Sequence, residues 1–132
     1  MNLLKPKAIL FDWDNTLIDS WTVIFDALNF TLQSFGKEPW SIAEIKVRVS
    51  KSLRDSFPNL FGEEWEKAAE VFYGRFDDIH LSCLKPAEGA QVMLDGMLEQ
   101  GIFMGIVSNK RGDYLRKEVW HLGWDQYFSS LV

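Results

Sequence analysis

Apolar residues along the chain fall into two patterns. Ala8-Ile9-Leu10-Phe11 and Ile102-Phe103-Met104-Gly105-Ile106-Val107 are short continuous runs, which suit strands covered on both faces, whereas a half-exposed strand would alternate. Elsewhere apolar positions recur at helical spacing. Trp21, Ile24, Phe25, Leu28, Leu32 and Phe35 predict a helix from about Ser20 to Phe35, with Asp19 or Ser20 as N-cap and Gly36 as its stop. Ser41-Ile42-Ala43-Glu44 has capping-box spacing and predicts a helix from Ser41 to about Val49. Ser52 to Phe57 reads as a short helix ended by Pro58. Trp65, Ala68, Ala69, Phe72, Tyr73, Phe76 and Ile79 mark a long amphipathic helix beginning near Glu63. Ala90, Met93, Leu94, Met97 and Leu98 form the apolar face of a helix over Glu88 to Gln100, and Gly101 ends it. Helical spacing resumes from Arg111 to Leu122, and Phe128 to Val132 is a short terminal strand.

That order of elements is strand, helical stretch, helix, strand, helix, strand. It predicts an α/β fold: a Rossmann-like parallel sheet with right-handed crossovers, interrupted after the first strand. Residues 1–19 and 81–132 form the sheet-bearing part, with Leu84-Lys85-Pro86 as a connector, and residues 20–80 are almost wholly helical. No glycine-rich fingerprint follows the first strand, so a dinucleotide site is disfavoured. No internal repeat or low-complexity segment is present.

Composition narrows the classes further. The 132 residues are 47% hydrophobic and 25% charged, with 10 Phe and 6 Trp, which is the profile of a globular protein. Nineteen acidic residues against fourteen basic ones give a net charge of -5, which argues against non-specific binding to nucleic acid or anionic membranes. A phosphate-bearing substrate would then need a local positive or metal site. Cys83 stands alone, without a partner for a disulfide or a metal knuckle, and is expected to be a small packed side chain in a reducing compartment. The short run after Lys5-Pro6-Lys7 is no signal peptide and no window approaches a membrane span, so the expected location is the cytoplasm.

The chemistry concentrates at the ends of the two apolar runs. Asp12 and Asp14 follow the first, where open parallel sheets bind ligands. Continued alternation would turn both carboxylates to one side and Trp13 to the other. Two close carboxylates repel unless a cation compensates, and a hard oxygen-seeking ion such as magnesium is the simplest compensation. Ser108-Asn109-Lys110 closes the second run. An aspartate pair with the nearby Thr16 hydroxyl, plus Ser-Asn-Lys at another strand end, are parts suited to covalent phosphoryl transfer.

These residues carry a family resemblance. Phe11-Asp12-Trp13-Asp14-Asn15-Thr16-Leu17 resembles the first signature of the haloacid dehalogenase superfamily, Asp-x-Asp-x-Thr after an apolar strand. GIFMGIVSNK, Gly101 to Lys110, resembles the second, in the variant of phosphoglycolate-phosphatase-like members. Pro86-Ala87-Glu88-Gly89-Ala90 and the helix after it resemble the approach to that second signature. The resemblance implies a helical cap over residues 20–80 and a small phosphorylated metabolite, a sugar or an acid, as substrate. It implies Asp12 as the nucleophile, Asp14 as the general acid/base, and Mg2+ held by Asp12 and the backbone carbonyl of Asp14. Ser108 and the backbone N–H of Asn109 would hold phosphoryl oxygens, while Thr16 would order the loop; Thr16, Ser108, Asn109 and Lys110 together make the substrate-binding set. Superfamily members continue to a further lysine or arginine and a further acidic cluster. The expectation is therefore a piece of a longer phosphatase with an incomplete core, an open sheet edge and an uncovered apolar face suited to self-association. Lys110 is the only nearby basic residue inside a motif that could take the charge-balancing role, although lysines at helix starts usually point to solvent.

Other marked residues receive plainer readings. Arg48, Lys51 and Arg54 read as a solvated helix face rather than an anion-binding patch. His80 and His121 lack partners at metal spacing and read as packing or surface residues. Trp13 is expected to pack against the helical stretch, and Trp65, Phe72, Tyr73 and Phe76 to form core. Against the hydrolase reading stand a catalytically inactive binding or regulatory protein, and a phosphoacceptor signalling domain, which the long helical stretch after the acidic motif disfavours. Dehalogenation is a further alternative within the superfamily, but Asp14 favours phosphoryl chemistry because it supplies an acid/base group.

Overall fold

The computed structural model describes residues 7–49 and 53–131. The fold is α/β: a three-stranded parallel sheet of β1 (Ala8–Phe11), β2 (Phe103–Ile106) and β3 (Phe128–Leu131), in the order β1-β2-β3. The helices are α1 (Trp21–Ser34), α2 (Ile42–Arg48), α3 (Leu53–Phe61), α4 (Trp65–Ile79), α5 (Ala90–Glu99) and α6 (Gly112–His121). The chain divides into two compact units, residues 1–20 with 84–132 and residues 21–83.

In the α/β unit, Ile9 pairs with Met104 and Phe11 with Ile106, and these four residues face a core of Trp13, Leu17, Ala90, Leu94, Leu115, Val119 and Trp124. The expectation of strands covered on both faces is corrected here, whereas that of an uncovered apolar face is met. Leu10 is 68% exposed, Phe103 69% and Val107 47%, so one face of β1 and the start of β2 is open to solvent. A continuous apolar run records what a strand could pack against; α5 and α6 supply cover for one face only. The same limit applies within α5, where Ala90 and Leu94 are buried but Met93 and Leu98 are exposed. Gly89, at φ +78°, turns the chain into α5, and Gly123, at φ +70°, follows α6, a left-handed conformation that glycine adopts without steric cost.

The helical unit is built on aromatic packing. Phe57, Phe61, Phe72 and Phe76 are buried, and the Phe57 ring meets those of Phe72 at 5.4 Å and Phe61 at 5.7 Å. This explains a second correction: Pro58 lies inside α3 and does not end it. A proline within a helix costs about 3 kcal/mol or more, and continuing the helix to bury both Phe57 and Phe61 outweighs that. Ser41 forms the predicted capping box, its hydroxyl accepting from the Glu44 N–H while the Glu44 carboxylate accepts from the Ser41 N–H. His80 is buried and stacked on Phe76 with ring centroids 5.0 Å apart. Among the described residues no helix is long and apolar enough to cross a membrane.

Candidate active site

The register places two loops at one end of adjacent parallel strands. Phe11 pairs with Ile106, so Asp12 follows one paired end and Ser108 stands two residues beyond the other. The Val107 N–H donates to the Phe11 carbonyl at 2.8 Å and carries the ladder one step further.

After Asp12 the backbone folds into a tight turn. The Trp13 carbonyl accepts from the N–H groups of Thr16, Leu17 and Ile18 at 3.2, 3.1 and 3.2 Å, and the Asn15 N–H donates to the Ile18 carbonyl at 2.7 Å. Asn15 has φ +58°, a left-handed conformation that an asparagine tolerates better than most residues. Its side-chain oxygen accepts the Ser20 N–H at 3.0 Å, and the Ser20 hydroxyl donates to Asp14 Oδ1 at 2.7 Å. The turn thus fixes the Asp14 carboxylate from its own side of the site. Asp12 is exposed, and its Oδ1 accepts the Trp13 N–H at 2.8 Å. Thr16 is also exposed, with its N–H committed to the turn.

Trp13 packs elsewhere than expected. It is fully buried in the α/β core, edge-on to Trp124 at 5.9 Å and to Phe128 at 6.4 Å, which corrects its expected packing against the helical stretch. Its indole N–H donates to Glu118 Oε1 at 3.0 Å. A buried indole nitrogen needs an acceptor, and here the acceptor is a buried carboxylate on α6.

That carboxylate explains Lys110. The Lys110 ammonium donates to Glu118 Oε1 at 2.9 Å and to Asp14 Oδ1 at 2.9 Å, and its side chain is only 9% exposed. The expectation that Lys110 points to solvent is therefore corrected. Glu118 is 1% exposed, and an ionised carboxylate so far from water requires a paired cation. The same loop is tightened by the Lys110 N–H donating to Ser108 Oγ at 3.1 Å. Asn109 is exposed. Beside the site, Arg111 grips Asp113 at 2.8 and 2.6 Å, and this guanidinium holds the Asp113 carboxyl down to about 2.

Asp14 and Lys110 are thus brought into direct contact, with Ser108 on the same loop as Lys110, while Asp12 and Asn109 are exposed residues of the same two loops. Glu118 and Ser20 escaped the sequence reading. Glu118 did leave a signal: it occupies an apolar-face position of α6 with Tyr114, Leu115 and Val119, all buried, and an acid in such a stripe calls for a buried partner. Ser20 left none, since a serine before a helix reads as a cap.

Among the described residues no three His, Cys, Asp or Glu side chains gather as a metal cluster. The donors nonetheless fit a small hard cation that keeps several waters, which needs only one or two carboxylates beside substrate oxygens. Asp12 offers an exposed carboxylate, and Asp12, Asp14 and Glu118 set three carboxyl groups against the single ammonium of Lys110. In the helical unit, Arg48 lies over the Trp40 ring at 4.5 Å and near Glu44 at 3.9 Å, an exposed arrangement that matches a solvated face. Lys51 and the side chain of Arg54 lie outside the described residues. His121 is exposed and Cys83 is a half-buried free thiol.

The chain matches the haloacid dehalogenase-like hydrolase family over residues 9–132. It is 30% identical over 131 residues to the phosphoglycolate phosphatase of Xylella fastidiosa (strain 9a5c), covering 96% of this chain and 57% of that protein. It is 25% identical over 129 residues to the pyrophosphatase PpaX of Halalkalibacterium halodurans, covering 98% of this chain and 60% of that one. The chain thus spans less than two thirds of the length of these relatives. In structure it is similar to Protein Tyrosine Kinase A of Mycobacterium tuberculosis, with a TM-score of 0.88 at 20% identity, covering 96% of this chain and 59% of that chain. A likeness at that identity speaks for the fold and not for the reaction.

Proposed function

The chain belongs to the haloacid dehalogenase-like hydrolase family, and from that premise we propose that it carries the phosphoryl-transfer residues of a phosphatase acting on a small phosphorylated metabolite. Asp12 is the nucleophile: one carboxylate oxygen bonds to phosphorus as the ester oxygen departs, leaving an aspartyl phosphate. Asp14 gives its proton to the departing oxygen, then takes one from the water that attacks phosphorus and frees Asp12 with inorganic phosphate. Ser108 and the Asn109 N–H hold the phosphoryl oxygens, Lys110 balances their charge, and Thr16 keeps the loop in shape. Magnesium, held by the Asp12 carboxylate and the Asp14 backbone carbonyl, would supply further neutralisation of phosphoryl charge. The helical unit, residues 21–83, is the cap that selects the substrate.

The observation that carries this reading is the 2.9 Å contact from Lys110 to Asp14, which joins the Asp-x-Asp loop to the Ser-Asn-Lys loop. Phosphoryl transfer depends on positioning and on charge balance, and this contact supports the reading by bringing the acid/base candidate and a cation together. The names of the relatives make 2-phosphoglycolate and pyrophosphate the first substrates to try, with p-nitrophenyl phosphate as a generic one. Turnover with magnesium is the readout, and Asp12→Asn should lower whatever turnover the chain has by about a thousandfold or more. An Asp12→Asn variant as active as the parent would overturn the reading. Binding of 2-phosphoglycolate or inorganic phosphate with no turnover would favour the inactive, phosphate-binding alternative.

A further inference from the structure

Phosphoryl transfer by Asp12, Asp14 and Lys110 leaves Glu118 without a task. A buried ionised carboxylate is costly, and replacing a buried ion pair by apolar groups of similar size is often neutral or stabilising. Packing alone therefore gives no reason for an acid on the apolar face of α6. Its contacts do: Oε1 accepts from two donors, the Trp13 indole at 3.0 Å and the Lys110 ammonium at 2.9 Å. One oxygen ties the residue between the two aspartates to the lysine of the neighbouring loop.

We propose that Glu118 is a positioning residue of the site, which acts through Lys110 to hold the Asp14 carboxylate where proton transfer needs it. The inference rests on the phosphatase reading for its catalytic meaning and on geometry for its physical content. A lysine stem is flexible, and an ammonium beside a single half-exposed carboxylate would sample many positions. Anchored on Glu118, which α6 and the core hold rigid, the ammonium has one position, and Asp14 Oδ1 lies 2.9 Å from it. The Ser20 hydroxyl meets the same oxygen at 2.7 Å. Asp14 Oδ1 is thus fixed from its own turn and, through Lys110, from the core, and Glu118 is the anchor of the second restraint.

A double-mutant cycle tests this in the 132-residue chain. Glu118→Gln keeps an oxygen able to accept from both donors, removes the charge and puts an amide NH2 in place of the second oxygen. In the amide spectrum it is expected to shift the signals of Asp14 to Ser20, and to leave them nearly still when made in a Lys110→Met background. Turnover follows the same logic: Glu118→Gln lowers kcat about tenfold with KM within about twofold, and less than twofold further in the Lys110→Met background. Shifts at Asp14 to Ser20 that are equal in the two backgrounds, or absent in both, would overturn the proposal. Should Glu118→Gln not fold, Lys110→Met alone must move those amides, and unmoved amides would count against it. Because the amide readout needs no turnover, a chain without activity fails the phosphatase reading while the positioning role is still decided.

Discussion

The two units bury polar and charged groups in opposite ways. In the helical unit aromatic and aliphatic side chains fill the interior with a few neutral polar groups such as Thr31, and a long-range ion pair stays wet: Arg75 and Asp26, 2.8 Å apart, keep 35% and 37% of their side chains exposed. In the α/β unit Glu118 and Lys110 are almost entirely withdrawn from water beside a buried tryptophan. Apolar burial stabilises in proportion to area and demands little orientation. Buried ions lose hydration worth several kcal/mol each and regain it only with partners held in place. The helical interior is therefore built to hold together, and the α/β interior also to hold particular atoms still.

The largest expected effects probe that contrast directly. Phe57→Ala in the helical unit should cost about 3–5 kcal/mol, the usual range for emptying a buried aromatic position. Glu118→Leu should cost a similar amount, about 3–5 kcal/mol, for a different reason: it takes a carboxylate from the buried Lys110 ammonium and the acceptor from the buried Trp13 indole. Urea unfolding of the second-site variants separates the two causes. Adding Lys110→Met to Glu118→Leu should recover part of the loss, because the orphaned charge is gone, whereas adding Phe72→Ala to Phe57→Ala should deepen it. A Glu118→Leu, Lys110→Met double variant less stable than Glu118→Leu alone would erase the distinction between the units.

The same contrast marks what was legible in the sequence. The helical unit was readable in its periods and caps: Ser41 caps as its spacing predicts, and Phe72, Phe76 and Ile79 are buried as theirs predicts, but Trp65, expected in the core at the same spacing, is exposed at the first turn of α4, so that expectation is corrected. Pro58 was misread because a local rule met a stronger tertiary one, the burial of Phe57 and Phe61. In the α/β unit the strands, the acidic loop and the existence of an uncovered apolar face were legible, but which residues lie on that face was not, since Leu10 and Phe103 carry the same apolar signal exposed as they would buried. Lys110 was expected in solvent because its direction is set by Glu118, eight residues on, and by Asp14, ninety-six residues back. Contacts across such separations leave no period in a sequence.

A smaller effect sharpens the comparison from within the α/β unit. The buried Tyr127 hydroxyl donates to the Asp95 carboxylate, and that bond, followed by burial, raises the phenol above its ordinary value. A folded-state value above the unfolded one means that the stabilisation is whole below the unfolded value, near pH 10, and is lost as pH rises through the folded value. Tyr127→Phe should cost about 1.5–3 kcal/mol at neutral pH, as for a hydrogen bond to a charged acceptor, and should flatten the alkaline loss. Urea midpoints at neutral and alkaline pH check both. An unchanged alkaline slope would mean that this tie contributes nothing.

The smallest effect belongs to the helical unit, at a polar cap that is local and lies at the surface. Ser41 is exposed, and its two capping-box bonds, at 3.1 and 3.3 Å, reach only three residues along the chain. Losing the cap leaves the Glu44 N–H to water, not to a buried void, so Ser41→Ala should cost about 1 kcal/mol. Ser41→Asp, which keeps an acceptor at the N-cap and adds a charge favourable to the helix start, should restore most of it. Because the restored bond is local, neither substitution should move the Trp13 indole signal or the amides of Asp14 to Ser20. A loss well beyond 2 kcal/mol, or a shift at Trp13, would show that this surface cap is wired into the α/β core, and the helical unit could then no longer stand as the simpler of the two.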